Sequence, residues 1–176
     1  LSKDPANAEL LRTGSVLEFE LGTPDVVGGA TNDLIQVNGD LAIEGTTLNV
    51  SDIGTFDTSA GSYRLISYTG SLTGSASDIT LGSVEGHLPS DVEVQTSNPG
   101  FVNLIVAPNG VVTQFWDGAG LPSDGTIAGG SGTWNNTLAN WTNASGTINT
   151  SSVPGFDIFQ TTGGTVTLGE DVTMQG

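Results

Sequence analysis

The sequence predicts an all-β fold, both from its composition and from short stretches in which apolar and polar residues alternate. Gly, Thr, Ser and Asn together account for 78 of the 176 residues, and all four have low helix propensity. Thr, Val and Ile suit a pleated, half-buried strand instead. Hydrophobic residues make up 36 % of the chain, so we expect a folded protein with a core.

Alternation of apolar and polar side chains marks the individual strands. In the first of them Leu17, Phe19 and Leu21 point to one side, with glutamates between them. Short strands then follow with almost no loop, because Asn38-Gly39 and Glu44-Gly45 allow the chain to turn. The predicted strands are 15–21, 35–37, 41–43, 48–50, 63–68, 79–81, 92–94, 101–106, 111–115, 165–168 and 172–174.

The spacing of these strands favours a parallel β-helix, also called a β-solenoid. In that architecture each coil contributes a few short strands, and the inward residues of successive coils stack into a continuous core. The run 33–50 is typical of part of one coil that bends twice, although no strict period is visible. An antiparallel β-sandwich also produces many short strands separated by turns, and it remains the alternative.

A turn at 107–110, followed by a shift in composition, divides the chain into predicted sections. We expect an N-terminal extension over 1–13 and a first β-solenoid section over 14–110. A second section with tryptophan-containing loops covers 111–176, and we expect it to be truncated at its C-terminal end. The final coil would then have an uncovered strand edge, which favours pairing with another chain.

Charge and cysteine content exclude several classes of partner and site. The chain has 3 Lys and Arg residues against 19 Asp and Glu residues, for a net charge of −16. Lys3, Arg12 and Arg64 cannot form the basic patch that nucleic-acid binding needs, so we expect no nucleic-acid partner. Since cysteine is absent, neither disulfides nor thiolate metal sites hold the fold together. Neutral or cationic partners are favoured.

The three tryptophans, Trp116, Trp134 and Trp141, all lie in the second section. Exposed indoles can act as stacking platforms for sugars, so these residues are candidates for carbohydrate or partner contact. The alternative, which we favour, is that they close the end of a coil or pack beneath a long loop, because aromatic side chains bring a large apolar area to a thin core.

No catalytic, cofactor or metal site is predicted. His87 is the only histidine; we expect it in a solvated loop, and zinc is disfavoured because it needs several His or Cys ligands. The adjacent acids Glu170 and Asp171 could serve a glycosidase, but a solvated turn explains them more simply. The stretch 28–36 fits most of a calcium-binding nonapeptide, with Asp33 as the ligand, yet it has no tandem copy. We expect a solenoid turn there.

The order of motifs resembles the passenger domain of Gram-negative autotransporters. In the first section "DLIQVNGDLAIEGTTLNVS" and "GSYRLISYTGSLTG" are similar to the family's recurring strands and turns. In the second, "FWDGAG", "GSGTWNNTLANWTNASG" and "GGTVTLGEDVTMQG" are similar to the β-strand repeats associated with autotransporters. The resemblance covers about residues 14–176. It implies a right-handed parallel β-helix at the bacterial cell surface, exported through the periplasm and outer membrane, with a parent chain anchored by an outer-membrane β-barrel that is absent here.

Function follows less directly, because passengers include adhesins, proteases, esterases and inert stalks. We expect a non-enzymatic segment of an adhesin or display stalk, whose partner is a host-cell or matrix glycan or protein. The alternatives are a β-helical polysaccharide hydrolase and a purely structural stalk.

Overall fold

The computed structural model describes residues 2–3, 9–56, 60–107, 112–120 and 122–172. Over these residues the ordered elements are strands and the short 3-10 helices Ala76–Asp78 and Pro89–Asp91, which confirms the all-β prediction. The strands are β1 Ser2–Lys3, β2 Glu9–Leu11, β3 Val16–Leu21, β4 Ile35–Val37, β5 Leu41–Ile43, β6 Thr46–Asp52, β7 Gly61–Tyr68, β8 Leu72–Thr73, β9 Ile79–Val84, β10 Val92–Gln95, β11 Phe101–Val106, β12 Val112–Trp116, β13 Gly132–Trp134, β14 Trp141–Thr142, β15 Asn149–Thr150, β16 Gly155–Ile158 and β17 Val166–Leu168.

The N-terminal strands form three parallel ladders. Strands β2, β5 and β8 make one ladder, β3, β6 and β9 the second, and β4 with β7 the third. Each successive coil therefore contributes strands to the three sheets in the same order. This arrangement is a parallel β-helix, as predicted, and it excludes the antiparallel sandwich.

The coils repeat at a distance that the sequence did not reveal. The side chain of Thr46 donates to the carbonyl of Ser15, and Asn49 donates to Glu18; both pairs are 31 residues apart. The next step is longer, since the amide of Ser83 donates to Asn49 from 34 residues away. Because the turns and loops carry few apolar residues and vary in length, only the strand positions keep the repeat.

The core consists of inward side chains stacked from coil to coil. Phe19 pairs with Val50, and Val50 pairs with Val84 on the next coil. Leu48 lies in the neighbouring column and is completely buried. Burying one such side chain contributes about 1.5–3 kcal/mol, so the alternation that predicted these strands also identifies the residues that stabilise the stack.

The third sheet departs from the parallel pattern. Strand β11 runs antiparallel to β7, and β10 runs antiparallel to β11. This hairpin covers the edge of β7 that a further parallel strand would otherwise occupy. From Gly61 to Ile66 every residue of β7 is buried, because one face of the strand meets the β-helix core and the other meets the C-terminal strands.

The C-terminal strands combine parallel stacking with a hairpin. Strand β12 pairs in parallel with β16, and β13 pairs in parallel with β17. On its other edge β12 pairs antiparallel with β14, which pairs antiparallel with β15. The turn predicted at 107–110 lies largely outside the described residues.

Several strands were missing from the sequence prediction, and one predicted strand is not supported. The missed strands have only two to four residues each, too few to display alternation; they are β1, β2, β8, β13, β14, β15 and β16. Within the predicted strand 172–174, Val172 is not in a strand, and residues 173 and 174 lie outside the described part. Val111, from the predicted strand 111–115, also lies outside it.

Candidate functional site: an aromatic cluster and a polar junction

The three tryptophans pack against one another inside the C-terminal part. Trp116, Trp134 and Trp141 are 1 %, 3 % and 0 % exposed. The ring centres of Trp116 and Trp141 are 5.3 Å apart, and those of Trp134 and Trp141 are 4.9 Å apart, both in edge-to-face geometry. Aromatic pairs favour this geometry by about 0.5–1.5 kcal/mol beyond the area they bury. The indoles therefore form a core layer supplied by β12, β13 and β14.

Phe159 lies over this layer, between the three indoles and the solvent. Its ring centre is 5.4–6.0 Å from each of the three indoles, while 51 % of its surface is exposed. Beside it is an open pocket of about 540 Å³, lined by Trp116, Phe159, Val166 and the polar loop 160–164. Of the three predicted contact residues, Trp116 is the one that lines this pocket.

The indole N–H groups differ in how they are satisfied. The Nε1 of Trp116 donates to the carbonyl oxygen of Gly130 at 2.9 Å. Among the described residues, the Nε1 atoms of Trp134 and Trp141 are buried without an acceptor. Leaving a buried donor unpaired costs about 1–3 kcal/mol, so packing of the indole rings must outweigh this penalty.

A second notable group is a buried polar junction between the N-terminal β-helix and the C-terminal strands. Its centre is Arg64 on β7, which is 6 % exposed. The Nη2 of Arg64 donates to Ser123 Oγ at 3.1 Å and to the carbonyl oxygen of Thr147 at 3.0 Å. The guanidinium also lies 3.6 Å from the ring centre of Phe101, where it gains a cation–π attraction. Burial lowers the pKa of Arg64 to about 10.

The junction continues through Asn149 to a buried carboxylate. The amide of Asn149 donates to Ser123 Oγ at 3.0 Å, and the side-chain oxygen of Asn149 accepts from the amide of Ser123 at 2.7 Å. The Nδ2 of Asn149 donates to Asp117 at 2.9 Å. Asn98 adds a bond to Ser123 at 3.0 Å. Ser123 Oγ is thus shared by three donors, from Arg64, Asn98 and Asn149, although a hydroxyl oxygen has only two lone pairs.

The stretch 28–36, which resembled a calcium motif, is a loop that Asn32 organises and that leads into β4 at Ile35. The side-chain oxygen of Asn32 accepts from the amides of Gly22 and Thr23, and its Nδ2 donates to the carbonyls of Thr23 and Val26. Asp33 accepts from the amide of Glu20. No group of metal-ligating side chains is present among the described residues.

The other titratable candidates are engaged in local structure. His87 is half-buried, in contrast to the solvated position we expected: its Nε2 is 2.5 Å from the carbonyl oxygen of Phe56, and its ring packs edge-to-face on Phe56. Glu170 accepts from the amide of Asn136. Burial raises the pKa of Asp157, whose carboxylate accepts from Gln114 at 2.6 Å.

Sequence reasoning missed Arg64, Asn149 and Phe159. The only signal for Arg64 is its position as a charged residue within an apolar strand, in "GSYRLISY". Asn149 and Phe159 carry no local signal, because their partners are distant in sequence.

Comparison with known proteins finds a similar autotransporter. Over 128 residues the chain is 44 % identical to the adhesin BmaC autotransporter of Brucella suis biovar 1 (strain 1330). The match covers 72 % of this chain but 4 % of the relative, so the chain spans a small fraction of that protein's length. No family model and no solved structure matches the chain.

The stacked parallel coils define a β-solenoid segment. The similarity identifies it further: the chain belongs to the passenger domains of autotransporters, as the sequence motifs predicted. It is accordingly a cell-surface segment that is exported across the outer membrane. Among the described residues, no helix has the length and apolar composition needed to cross a lipid bilayer.

Proposed function

We propose that this chain is a non-enzymatic, adhesive segment of its passenger domain. The observation that carries the proposal is the outward face of the β3–β6–β9 sheet, where polar side chains recur from coil to coil. The printed name of the relative from Brucella suis describes an adhesin, and this supports the same role here.

The outward face forms a hydrogen-bonded ladder across three coils. The Nδ2 of Asn49 donates to Glu18 on the coil before it at 2.7 Å. The side-chain oxygen of Asn49 accepts from the amide of Ser83 on the coil after it at 2.8 Å. A ladder of this kind holds polar groups at regular intervals, which suits adhesion through many weak contacts better than binding in one deep pocket.

The local roles of His87 and Glu170 support the non-enzymatic part of the proposal. A general base must reach the proton it removes, whereas His87 interacts with the carbonyl of Phe56 and Glu170 with the amide of Asn136. Contact with a carbohydrate or partner through the tryptophans would take place at the pocket beside Trp116, with Phe159 as the accessible ring.

Binding of the fluorescently labelled 176-residue chain to mammalian epithelial monolayers tests the proposal. We expect saturable binding that is reduced in the double variant Asn49→Lys and Ser83→Lys. The matched control carries Ser90→Lys and Thr126→Lys, which add the same charge at exposed positions away from the ladder. Absence of binding by the folded chain would support the inert stalk, and equal binding by both double variants would remove the ladder from the proposal.

Enzymatic turnover needs a separate measurement. Incubation with a panel of plant and bacterial polysaccharides, followed by a reducing-sugar assay, should give the same signal as buffer. Turnover that disappears when Glu170 or Asp171 is changed to the amide would support the polysaccharide hydrolase instead.

A further inference from the structure

A small cleft lies where the β3–β4 loop approaches the β14–β15 hairpin. Its volume is about 230 Å³, and it is lined by Asp25, Ser62, Phe115 and Asn143 together with small neighbouring residues. Drug-sized ligands usually occupy pockets of about 300–1,000 Å³. The cleft therefore has room for one ring of a larger molecule, with the remainder of that molecule in solvent.

The carboxylate of Asp25 is held firmly at this cleft. Its Oδ1 accepts from the amide of Ser62 at 3.0 Å, and its own amide donates to the carbonyl oxygen of Ser62 at 2.9 Å. Burial raises the pKa of Asp25, although hydrogen bonds from Ser62 and Asn143 oppose that effect. A carboxylate can accept about four hydrogen bonds. Two donors leave it with acceptor capacity for a ligand hydroxyl.

Phe115 supplies the aromatic ring of the cleft, and a second phenylalanine, Phe156, lies on the adjoining strand outside the cleft lining. Phe115 lines the cleft, and the parallel register pairs Thr113 with Phe156 and Phe115 with Ile158. Since paired residues of neighbouring strands point to the same face of a sheet, Phe156 lies on the same outward face as Phe115, one strand further out. Phe156 is 60 % exposed, so its ring is accessible to the part of a ligand that extends out of the cleft.

The chemistry of these groups indicates the class of ligand. A pyranose ring has an apolar face that packs on an aromatic ring, and it carries hydroxyl groups that donate to a carboxylate. The net charge of −16 disfavours acidic sugars through long-range repulsion.

We propose that the Asp25 cleft binds one neutral pyranose ring of a glycan chain, with Asp25 accepting from its hydroxyls and Phe115 and Phe156 packing on its apolar face. This inference rests on the proposed adhesive function and goes beyond it, because it adds a second contact site and names the class of ligand that this site binds. The site lies apart from the tryptophan layer and from the ladder on the β3–β6–β9 sheet.

The experiment compares variants that preserve the fold. Asp25 has φ of 63°, a conformation that asparagine tolerates well, and the side-chain oxygen of an asparagine can still accept from the amide of Ser62. Asp25→Asn therefore changes the charge with little change of shape. Phe156→Ala truncates an exposed ring. The matched controls are Glu44→Gln and Leu88→Ala, both at exposed positions away from the cleft.

The probes are an array of immobilised neutral and sialylated glycans and the methyl glycosides of the neutral sugars that bind. We expect selective binding of neutral glycans. Asp25→Asn should weaken binding by about tenfold or more, because a hydrogen bond to a charged group contributes about 1.5–3 kcal/mol. Phe156→Ala should weaken it by about two- to tenfold. Neither control should change the affinity.

Each contrary outcome has a defined meaning. If the chain binds cells but no neutral glycan on the array, the glycan inference is overturned while the adhesive function stands. If neutral glycans bind equally well to the wild type, Asp25→Asn and Phe156→Ala, the site has been assigned wrongly. If the folded chain binds neither cells nor glycans, the proposed function fails together with the inference.

Discussion

Replacing Arg64 with methionine tests how the two parts of the chain are held together. Methionine keeps an unbranched apolar stem next to Phe101 but removes the guanidinium. The Nη2 bonds to Ser123 and Thr147 are then lost. The third contact, from Nε to Asn103, is 3.5 Å long and contributes little.

The expected loss of stability is moderate because opposing effects nearly balance. Each hydrogen bond from a charged donor contributes about 1.5–3 kcal/mol, whereas burial of the charge is unfavourable, as the lowered pKa of Arg64 indicates. Ser123 Oγ keeps its bonds from Asn98 and Asn149, so the main uncompensated group is the carbonyl of Thr147. A net destabilisation of about 2 kcal/mol follows. For a chain of this length it corresponds to about 4–8 °C in Tm.

Two spectroscopic probes separate the two parts of the molecule during urea unfolding. All three tryptophans lie in the C-terminal part, so indole fluorescence reports on that part alone, while far-UV circular dichroism reports on all strands. The wild type should show coincident transitions. In Arg64→Met the fluorescence transition should come at lower urea than the dichroism transition, because the junction couples the C-terminal strands to β7.

The matched control is Arg12→Met, which removes the same charge from an exposed position. It should remain within about 0.5 kcal/mol of the wild type, as most surface substitutions do. An Arg64→Met variant with wild-type stability and coincident transitions would show that the guanidinium does not hold the junction.

Four further substitutions have distinct expected outcomes. Tyr63→Phe removes a buried hydroxyl without a partner among the described residues and should raise the unfolding free energy by about 1 kcal/mol at pH 7; no gain in urea unfolding would contradict this. Burial also raises the pKa of Tyr63, so this tyrosine ionises in the unfolded chain at a lower pH than in the folded chain. The stability of the wild type therefore falls as pH rises above about 10. The difference in unfolding free energy between Tyr63→Phe and the wild type should then widen from pH 9 to pH 11. Asn32→Ala removes four hydrogen bonds from the β3–β4 loop and should cost about 2–4 kcal/mol; a wild-type Tm would show that the loop does not depend on them. Trp141→Ala should cost about 3–5 kcal/mol, whereas Phe159→Ala, which empties a half-exposed position, should cost much less; equal losses would place Phe159 in the core.

The strands that could be predicted are those in which burial itself imposes the pattern. Phe19 and Leu21 on β3 face the core, with glutamates between them facing solvent, and a period of two is visible from the sequence alone. Strand β7 shows the opposite case. Both of its faces are buried, so "GSYRLISY" predicted a strand but gave no indication that another part of the chain would cover its outer face.

The direction of β10 and β11 could not be predicted for a related reason. Phe101 to Val106 is strongly apolar, as any central strand would be. Whether such a strand continues a parallel ladder or reverses depends on the length of the preceding connection and on which sheet edge is free. Neither property is encoded in the residues of the strand itself.

The candidate sites depend on contacts over still longer distances, and this explains why no local sequence pattern indicated them. Arg64 finds its acceptors 59 and 83 residues away, and the cleft joins Asp25 to Asn143 across both parts of the chain. In a solenoid each coil contacts mainly its neighbours, so long-range polar contacts of this kind are not required for stacking. They occur where the β10–β11 hairpin interrupts the stacking direction. Such a break between two stacks leaves a concave space, which a further regular coil would otherwise occupy. The same interruption thus accounts for the polar junction and for the cleft beside it. The candidate glycan site therefore lies near the junction and not on the regular outer face of the coils.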